Sequence, residues 1–348
     1  MADTTIYRLA LIGFGSAGQG LAQILRDHAD ALARRYGVEL RIVAICTHSR
    51  GSLYEADGLD PATLLEAIKH EGHLRNLSGL RDWSPLDMIE QANADILVEL
   101  SPTDLTTGEP ATSHMCAALE RGMHAITANK GPIALHLTKL RRLASDAQLY
   151  LGYEGTVMSG TPALRLGWSD LAGCEVIELR GIVNGTTNYI LTRMEGGMSY
   201  ADALAEAQHL GYAEADPTGD VEGYDAAAKA VILANVLMDA QLVLADVERA
   251  GITTLTRDTI VAARDSGERW KLIARVWREG DQVRASVQPT RLPISHPLAS
   301  AGGATNALTL TTDLLGDITL IGPGAGGAAT GFAIISDILA LHMLWGRQ

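Results

Sequence analysis

The run YRLALIGFGSAG, residues 7–18, decides the fold. Its first half is a short apolar stretch bounded by glycine and reads as a buried strand over residues 7–12. It passes directly into Gly13-Phe14-Gly15-Ser16-Ala17-Gly18, and Leu21, Ile24, Leu25, Ala29 and Leu32 then repeat at helical spacing to about Arg35. A G-x-G-x-x-G pattern alone is weak, but between a strand and a helix it is a dinucleotide fingerprint. Gly13 permits the tight turn, Gly15 lets the backbone approach a pyrophosphate, and Gly18 lets helix and strand pack closely. The N-terminus of the helix adds N–H donors and a positive dipole end. The stretch predicts an α/β chain that begins with a Rossmann-type domain.

Working outward, residues 40–46 (LRIVAIC) give a second strand, which ends in Thr47-His48-Ser49-Arg50. An acid at that strand end would bind the ribose 2′-OH of NAD, and none is present. Arg50 suits a 2′-phosphate, so NADP is preferred over NAD. Residues 52–84 are polar and helical in places and read as an insertion covering the sheet edge, with His70 and His73 facing solvent. Residues 95–100 (DILVEL) form the next strand, and Ser101-Pro102-Thr103 at its end should line the cofactor crevice. A helix over 112–121 and a strand over 124–127 deliver Ala128-Asn129-Lys130, followed by Gly131-Pro132 at a helix start. Lys130 is thereby placed beside the nicotinamide position.

After a strand over 148–153 the regular alternation stops. We therefore expect a dinucleotide domain of residues 1–150 plus about 319–348, and a second, α+β catalytic and dimerisation domain over 151–318. In the second region, a strand over 175–183 runs into NGTTNYIL (184–191), which reads as many small donors and acceptors, or as a hairpin or helix-capping turn. Residues 270–278 and 283–288 pair around Glu279-Gly280-Asp281, and 307–311 and 318–321 add two strands. A mixed sheet results, whose open edge can pair between subunits. GPGAGG (322–327) leads into a last helix to about Leu344, a strand-turn-helix that rejoins the first domain.

The chemistry concentrates in GYAEADPTGDVEGYDAAAK, residues 211–229. It holds five carboxylates, Glu214, Asp216, Asp220, Glu222 and Asp225, with one cation, Lys229. Pro217, Gly219 and Gly223 keep the early acids on a loop, and Asp225 and Lys229 then fall at i and i+4 of a helix. From Ala226 to Met238 the only polar residues are Lys229 and Asn235, so this helix should be buried. A buried lysine needs partners, and Lys229 should face carboxylates in a cleft. Desolvation favours release of an ammonium proton and nearby carboxylates favour its retention, a balance suited to proton transfer. A surface loop carrying an i,i+4 ion pair is the alternative reading of the same residues.

Composition limits the remaining classes. A net charge of −13, with no offsetting basic patch, argues against nucleic acid or an anionic membrane. The three cysteines are too scattered for a disulfide framework, and the histidines show no metal-ligand spacing, so no transition metal is expected. No secretory signal is apparent, and no apolar run approaches the ~18 residues of a membrane helix. A cytoplasmic small-molecule enzyme is the expectation.

Taken together and in order, GFGSAG, TANKGP (127–132), EGTVMSGTP (154–162), NGTTNYIL, the 211–229 stretch and GPGAGG resemble the homoserine dehydrogenases over nearly the whole chain. The resemblance implies NAD(P)-dependent interconversion of L-homoserine and L-aspartate 4-semialdehyde on the route to threonine and methionine. It implies catalytic roles for Lys229 and Lys130, and substrate binding by Glu214, Asp220 and Asp225. The cofactor set becomes Gly13, Phe14, Gly15, Ser16, Ala17, Gly18, Arg50, Ser101, Lys130 and Gly324. A sodium ion would be held at Glu154, Val157, Ser159 and Thr161, mostly through backbone carbonyls, and similar enzymes are homodimers through the second region. The kinase region and regulatory tail of some relatives have no counterpart here, so direct threonine inhibition is not expected.

Rival readings are an enzyme of another small hydroxy amino acid, an inactive NADP-binding sensor, and an aldehyde dehydrogenase working through a cysteine thioester at Cys116 or Cys174. If no thiolate takes part, treatment with iodoacetamide leaves the dehydrogenase activity unchanged, and loss of activity protected by substrate would favour the thioester enzyme.

Overall fold

The N-terminal apolar run forms strand β1 (Thr5–Ile12), whose last four residues are buried, and the glycine turn feeds helix α1 (Ser16–Tyr36). The structure, a computed structural model, describes residues 4–345. It divides into two units, the first made of residues up to Gly160 with those from Gly326 onward, the second spanning Thr161–Ala325.

In the first unit, β2 (Val38–Cys46), β5 (Ile96–Glu99), β6 (His124–Thr127) and β7 (Leu151–Gly152) join β1 in a parallel array. Two short antiparallel strands, β3 (Ser52–Tyr54) and β4 (Leu80–Arg81), extend it, giving the order β4-β3-β2-β1-β5-β6-β7. Residues 52–84 thus lengthen the sheet where an edge cover was expected. Helices α2 (Pro61–Glu71), α3 (Pro85–Gln91), α4 (Ala111–Glu120) and α5 (Lys130–Asp146) connect the strands, and a turn of helix α6 (Gly155–Met158) follows β7. Local chemistry sets their ends. Asp60 caps α2 by accepting from the N–H groups of Ala62 and Thr63, and Ser84 and Asp87 form a reciprocal capping box on α3. All four residues of β5 are buried, as a strand covered on both faces requires. Strand order reverses between β1 and β5, and open α/β sheets bind ligands at the carboxyl ends of such a pair.

The second unit holds α7 (Ala163–Arg165), β8 (Val176–Ile182), α8 (Gly185–Glu195), α9 (Tyr200–His209), α10 (Thr218–Val221), α11 (Tyr224–Leu237), β9 (Val247–Arg249), α12 (Arg257–Asp265), β10 (Glu268–Glu279), β11 (Gln282–Pro293), β12 (Thr305–Thr312) and β13 (Gly316–Pro323). Its sheet runs β13-β12-β8-β10-β11-β9, antiparallel except for the β11–β9 pair. Helix α11 packs on β10 and β11 with ten buried residues, from Ala226 to Val236. The polar exception among them is Lys229.

The divisions fall after Gly160 and Ala325, where the sequence suggested 150 and 318. The first shift arises because β7 pairs with β6 and α6 packs on α5, so residues to Gly160 stay with the first sheet. The second arises because β13 pairs with β12 as far as Pro323. The expected strand over 148–153 shrinks to Leu151–Gly152, since Gln148 turns the chain at φ +54°.

Helix α13 (Gly327–Trp345) corrects another expectation. Its window Gly327–Leu344 is 18 residues long with a mean hydropathy of 1.5, enough to cross a membrane by length and composition alone. Its apolarity has a local cause, because Ala333, Ile334, Ile335, Ile338 and Leu341 are buried in the first unit. It lies against α1 so closely that a Cβ on Gly20 would stand 1.9 Å from the Gly327 carbonyl oxygen. A Cβ on Gly331 would likewise lie 2.4 Å from the Leu21 nitrogen. Gly20→Ala should therefore overpack a backbone contact at a cost of about 1–3 kcal/mol, lowering the melting temperature by roughly 5 °C. Circular dichroism on heating checks this, and an unchanged melting point would show that α1 and α13 separate without cost.

Candidate active site

The glycine turn of the first unit is shaped by two separate needs. Gly13 has φ +95°, and a Cβ there would lie 2.5 Å from the Leu100 carbonyl oxygen at the end of β5, so only glycine fits. Gly15 has no atom within 4 Å of its would-be Cβ, leaving the backbone open to an incoming group. As the residue before α1 it gives no side-chain cap, so the first N–H groups of that helix are available to a phosphate. Gly18 is tight, its would-be Cβ 3.1 Å from the Gly13 oxygen and the Phe14 ring. Ser16 is exposed and Ala17 half-buried, whereas Phe14 is in the core, so only its backbone can meet a cofactor. These residues fit a dinucleotide pyrophosphate.

Arg50 reaches back to this turn, its Nη1 donating to the Phe14 carbonyl at 2.7 Å. Beside it, at the end of β2, a cavity of about 470 Å³ is lined by Thr47, His48, Arg75, Arg81 and Trp83 among others. Across the switch point, Ser101 is tied down from two sides. Its N–H donates to Glu99 Oε1 (3.3 Å), and its carbonyl accepts from Asn129 Nδ2 (3.0 Å). Asn129 also caps α5 by accepting from Gly131 N–H at 3.0 Å. Lys130 follows it as the first residue of α5, half-buried, in a helix turn whose dipole opposes a cation. Glu99, fully buried and 3.4 Å from the His114 ring, anchors this arrangement, and sequence reading did not single it out.

In the second unit, Lys229 is 7% exposed. Its ammonium contacts Asp225 Oδ2 at 2.8 Å and donates to the Val183 carbonyl at 2.6 Å. Among the described residues these use two of its three N–H groups. Asn184 completes the group. Its Nδ2 donates to Asp220 Oδ1 (2.7 Å) and to Asp225 Oδ2 (3.0 Å), while its Oδ1 accepts from Thr187 N–H (2.9 Å) to cap α8. Burial raises the Asp220 carboxyl above the ordinary aspartate value; Asn184 opposes the shift and the like charge of Asp225 adds to it. The NGTTN run is thus a helix cap that also serves the acids, a role visible in the sequence only as a cluster of small amides and hydroxyls.

The structure sorts the five acids of residues 211–229. Asp220 and Asp225 join Lys229. Asp216 turns locally onto Thr218, and Glu222 accepts from the Thr253 hydroxyl at 2.8 Å. Glu214 lies on an exposed loop, with no hydrogen bond or ion pair to the cluster among the described residues. Burial of a lysine is not by itself a sign of chemistry, as Lys271 shows. At 1% exposure it donates to Ala301 O (2.9 Å) and Asn188 Oδ1 (3.1 Å), and it ties α8 to β10.

The remaining expected positions are Gly324 and residues 154–161. Gly324 belongs to the second unit, where a Cβ would lie 2.0 Å from the Asn306 amide, so its lack of a side chain serves packing. Glu154, Val157, Ser159 and Thr161 are all buried. The Ser159 and Thr161 hydroxyls are already bonded, to Thr330 at 2.9 Å and to the Pro323 carbonyl at 3.0 Å.

A dinucleotide cradle on a doubly wound sheet, with a buried lysine–carboxylate cluster in the same chain, defines an NAD(P)-dependent oxidoreductase. Family models match twice, the homoserine dehydrogenase NAD binding domain over residues 13–154 and the homoserine dehydrogenase domain over 162–339. The chain is 46% identical over 346 residues to the NAD(+)-dependent homoserine dehydrogenase of Pseudomonas canavaninivorans, covering 99% of this chain and 98% of that one. It is 38% identical to the homoserine dehydrogenase of Methanocaldococcus jannaschii, covering 96% and 98%. Among solved structures, the Thiobacillus denitrificans homoserine dehydrogenase aligns with TM-score 0.86 at 30% identity, covering 100% of this chain and 76% of that one. A hyperthermophilic archaeal homoserine dehydrogenase in complex with NADPH aligns with TM-score 0.83 at 30% identity, covering 98% and 99%. The chain belongs to the homoserine dehydrogenase family.

The open space at Gly15 makes a clean test. Gly15→Ala should melt within about 2 °C of the parent yet bind the dinucleotide about tenfold more weakly, because a methyl group would stand where the phosphate approaches. Fluorescence titration of NADPH measures this, and unchanged affinity would remove Gly15 from the binding surface.

Proposed function

We propose that Lys229 takes the hydroxyl proton of L-homoserine as the chain oxidises it to L-aspartate 4-semialdehyde, and returns that proton in the reverse reduction. The observation that carries this reading is the buried amine held by Asp225 and Val183, with one N–H unused among the described residues. A hydride cannot leave the carbon unless the proton leaves the oxygen, so a base must stand within hydrogen-bond reach of that oxygen. In the oxidising direction Lys229 acts from its neutral form. In the reducing direction its ammonium donates and offsets charge developing on the alkoxide. When bound, the nicotinamide dinucleotide supplies the hydride acceptor or donor.

Asp220 and Asp225 would bind the substrate amine, with Asp220 the stronger choice because Asp225 already serves Lys229. Glu214 keeps a role only if its exposed loop orders around substrate. Lys130 is the second catalytic lysine in this reading, placed at the carboxyl end of β6 on the side where the dinucleotide ring would lie.

For the cofactor we favour NADP. Arg50 follows β2 without an acid at the strand end, and Arg75 and Arg81 line the cavity beside it with one carboxylate, Asp82; the three guanidiniums are what support a 2′-phosphate site. The named relatives include both an NAD(+)-dependent enzyme and an NADPH complex. Sodium at Glu154, Val157, Ser159 and Thr161, a homodimer formed through the second unit, a cytoplasmic location and a place in threonine and methionine synthesis complete the proposal. The dimer reading is supported by edge strand β13, where Ile321 is exposed, and by the exposed Leu314 and Leu315 before it.

Lys229→Ala should lower kcat for L-homoserine about 10²- to 10⁴-fold while leaving NADPH affinity within about twofold. Nicotinamide absorbance and a binding titration give both numbers. Normal turnover in this variant would transfer the proton role to Lys130.

A further inference from the structure

Asn184 lies two residues past the end of β8, at the point where that strand hands the chain to α8. Two successive residues there serve opposite charges. The Val183 carbonyl accepts from the Lys229 ammonium at 2.6 Å, and the Asn184 amide nitrogen gives hydrogens to Asp220 at 2.7 Å and Asp225 at 3.0 Å. The amide oxygen is used as well, accepting from the Thr187 N–H and hydroxyl, both at 2.9 Å. At 5% exposure the amide has every hydrogen and its oxygen engaged, and this fixes its orientation. Turned over, it would set an oxygen against two carboxylates and an NH₂ against an N–H.

We propose that Asn184 is a positioning residue for the reaction: its neutral amide holds Asp220 and Asp225 side by side as carboxylates, so that both can face the substrate amine while Lys229 faces the hydroxyl. The proposal rests on the roles assigned above to those three residues. The charges facing Asp220 are Asp225 and Lys229. Arg249, on β9, is turned away onto the Glu222 carbonyl and the Tyr224 ring. The neutral donor therefore limits the repulsion between the two acids without cancelling the negative charge a substrate ammonium needs.

Two substitutions separate this role from helix capping. Asn184→Ser keeps a good N-cap but lacks the reach and the paired hydrogens. Asn184→Asp keeps the cap and the length but turns two donors into acceptors. In the full-length enzyme both should raise the KM for L-homoserine about 10- to 100-fold, with NADPH affinity unchanged, and both should shift the acid limb of kcat/KM to higher pH.

A second readout needs no substrate. Because the folded-state value of Asp220 is raised, stability is lost as pH climbs from the ordinary carboxylate value through the raised one. Removing the donors widens that window. The melting-temperature deficit of Asn184→Ser should therefore grow as pH rises above the ordinary carboxylate range, whereas loss of a cap alone gives a constant deficit.

A constant deficit with a parental acid limb and KM would overturn the proposal. If the parent enzyme fails to oxidise L-homoserine yet the pH-dependent deficit appears, the substrate assignment falls and the clamp stands. If the parent enzyme is active and the deficit is constant, the clamp falls and the assignment stands.

Discussion

Where β8, α8 and α11 meet, the second unit has to keep the Lys229 ammonium out of water. An unpaired charge in such a place costs several kcal/mol, so Lys229 can be buried only where oxygen atoms meet it. Asp225, four residues earlier on α11, supplies one at 2.8 Å, and the end of β8 supplies another through Val183. Those two requirements fix the axial rotation of α11 and its approach to the sheet. A negative partner that is itself partly buried then needs donors, and Asn184 provides them while starting α8. Strand end, helix cap and helix register thus form one hydrogen-bonded system.

The first unit solves a different problem, that of bringing backbone close to backbone. At the switch point Gly13 nearly touches the end of β5, and Gly20, Gly327 and Gly331 let α1 and α13 meet without side chains between them. Around that close packing sits an open position, Gly15, with an uncapped helix N-terminus behind it. An anion-binding surface needs both, since the crowded glycines set the turn and the uncrowded one exposes its N–H groups. Below the sheet end, the buried Glu99 holds Ser101 and Asn129 through their amide hydrogens, and Asn129 in turn begins the helix that carries Lys130.

Much of this was legible in residue order. Glycine spacing after an apolar strand announced the dinucleotide domain. The nearly unbroken apolar character of α11 announced that Lys229 would be buried, because a helix face without polar residues has no stable place in water. Other features were misread for physical reasons. Residues 52–84 looked like a cover because their strands are only three and two residues long, too short to show a period of two. The extent of α13 was legible but its length of apolar sequence was underestimated, since glycines and alanines dilute the pattern of a helix packed on one face.

Composition and spacing carried the identity of the chain, its cofactor class and the residue types available for proton transfer, because glycine geometry, helix periodicity and the cost of burying charge act locally and leave a mark in the order of residues. The choice among equivalent side chains was made only by folding. That Asp220 joins the pair of Asp225 and Lys229, which of several amides bridges the two acids, and which carbonyl meets the lysine depend on contacts between residues 36 to 46 positions apart, as from Asn184 to Asp220 and from Val183 to Lys229. Such contacts are set by the packing of β8, α8 and α11, and nothing in the local sequence encodes that distance.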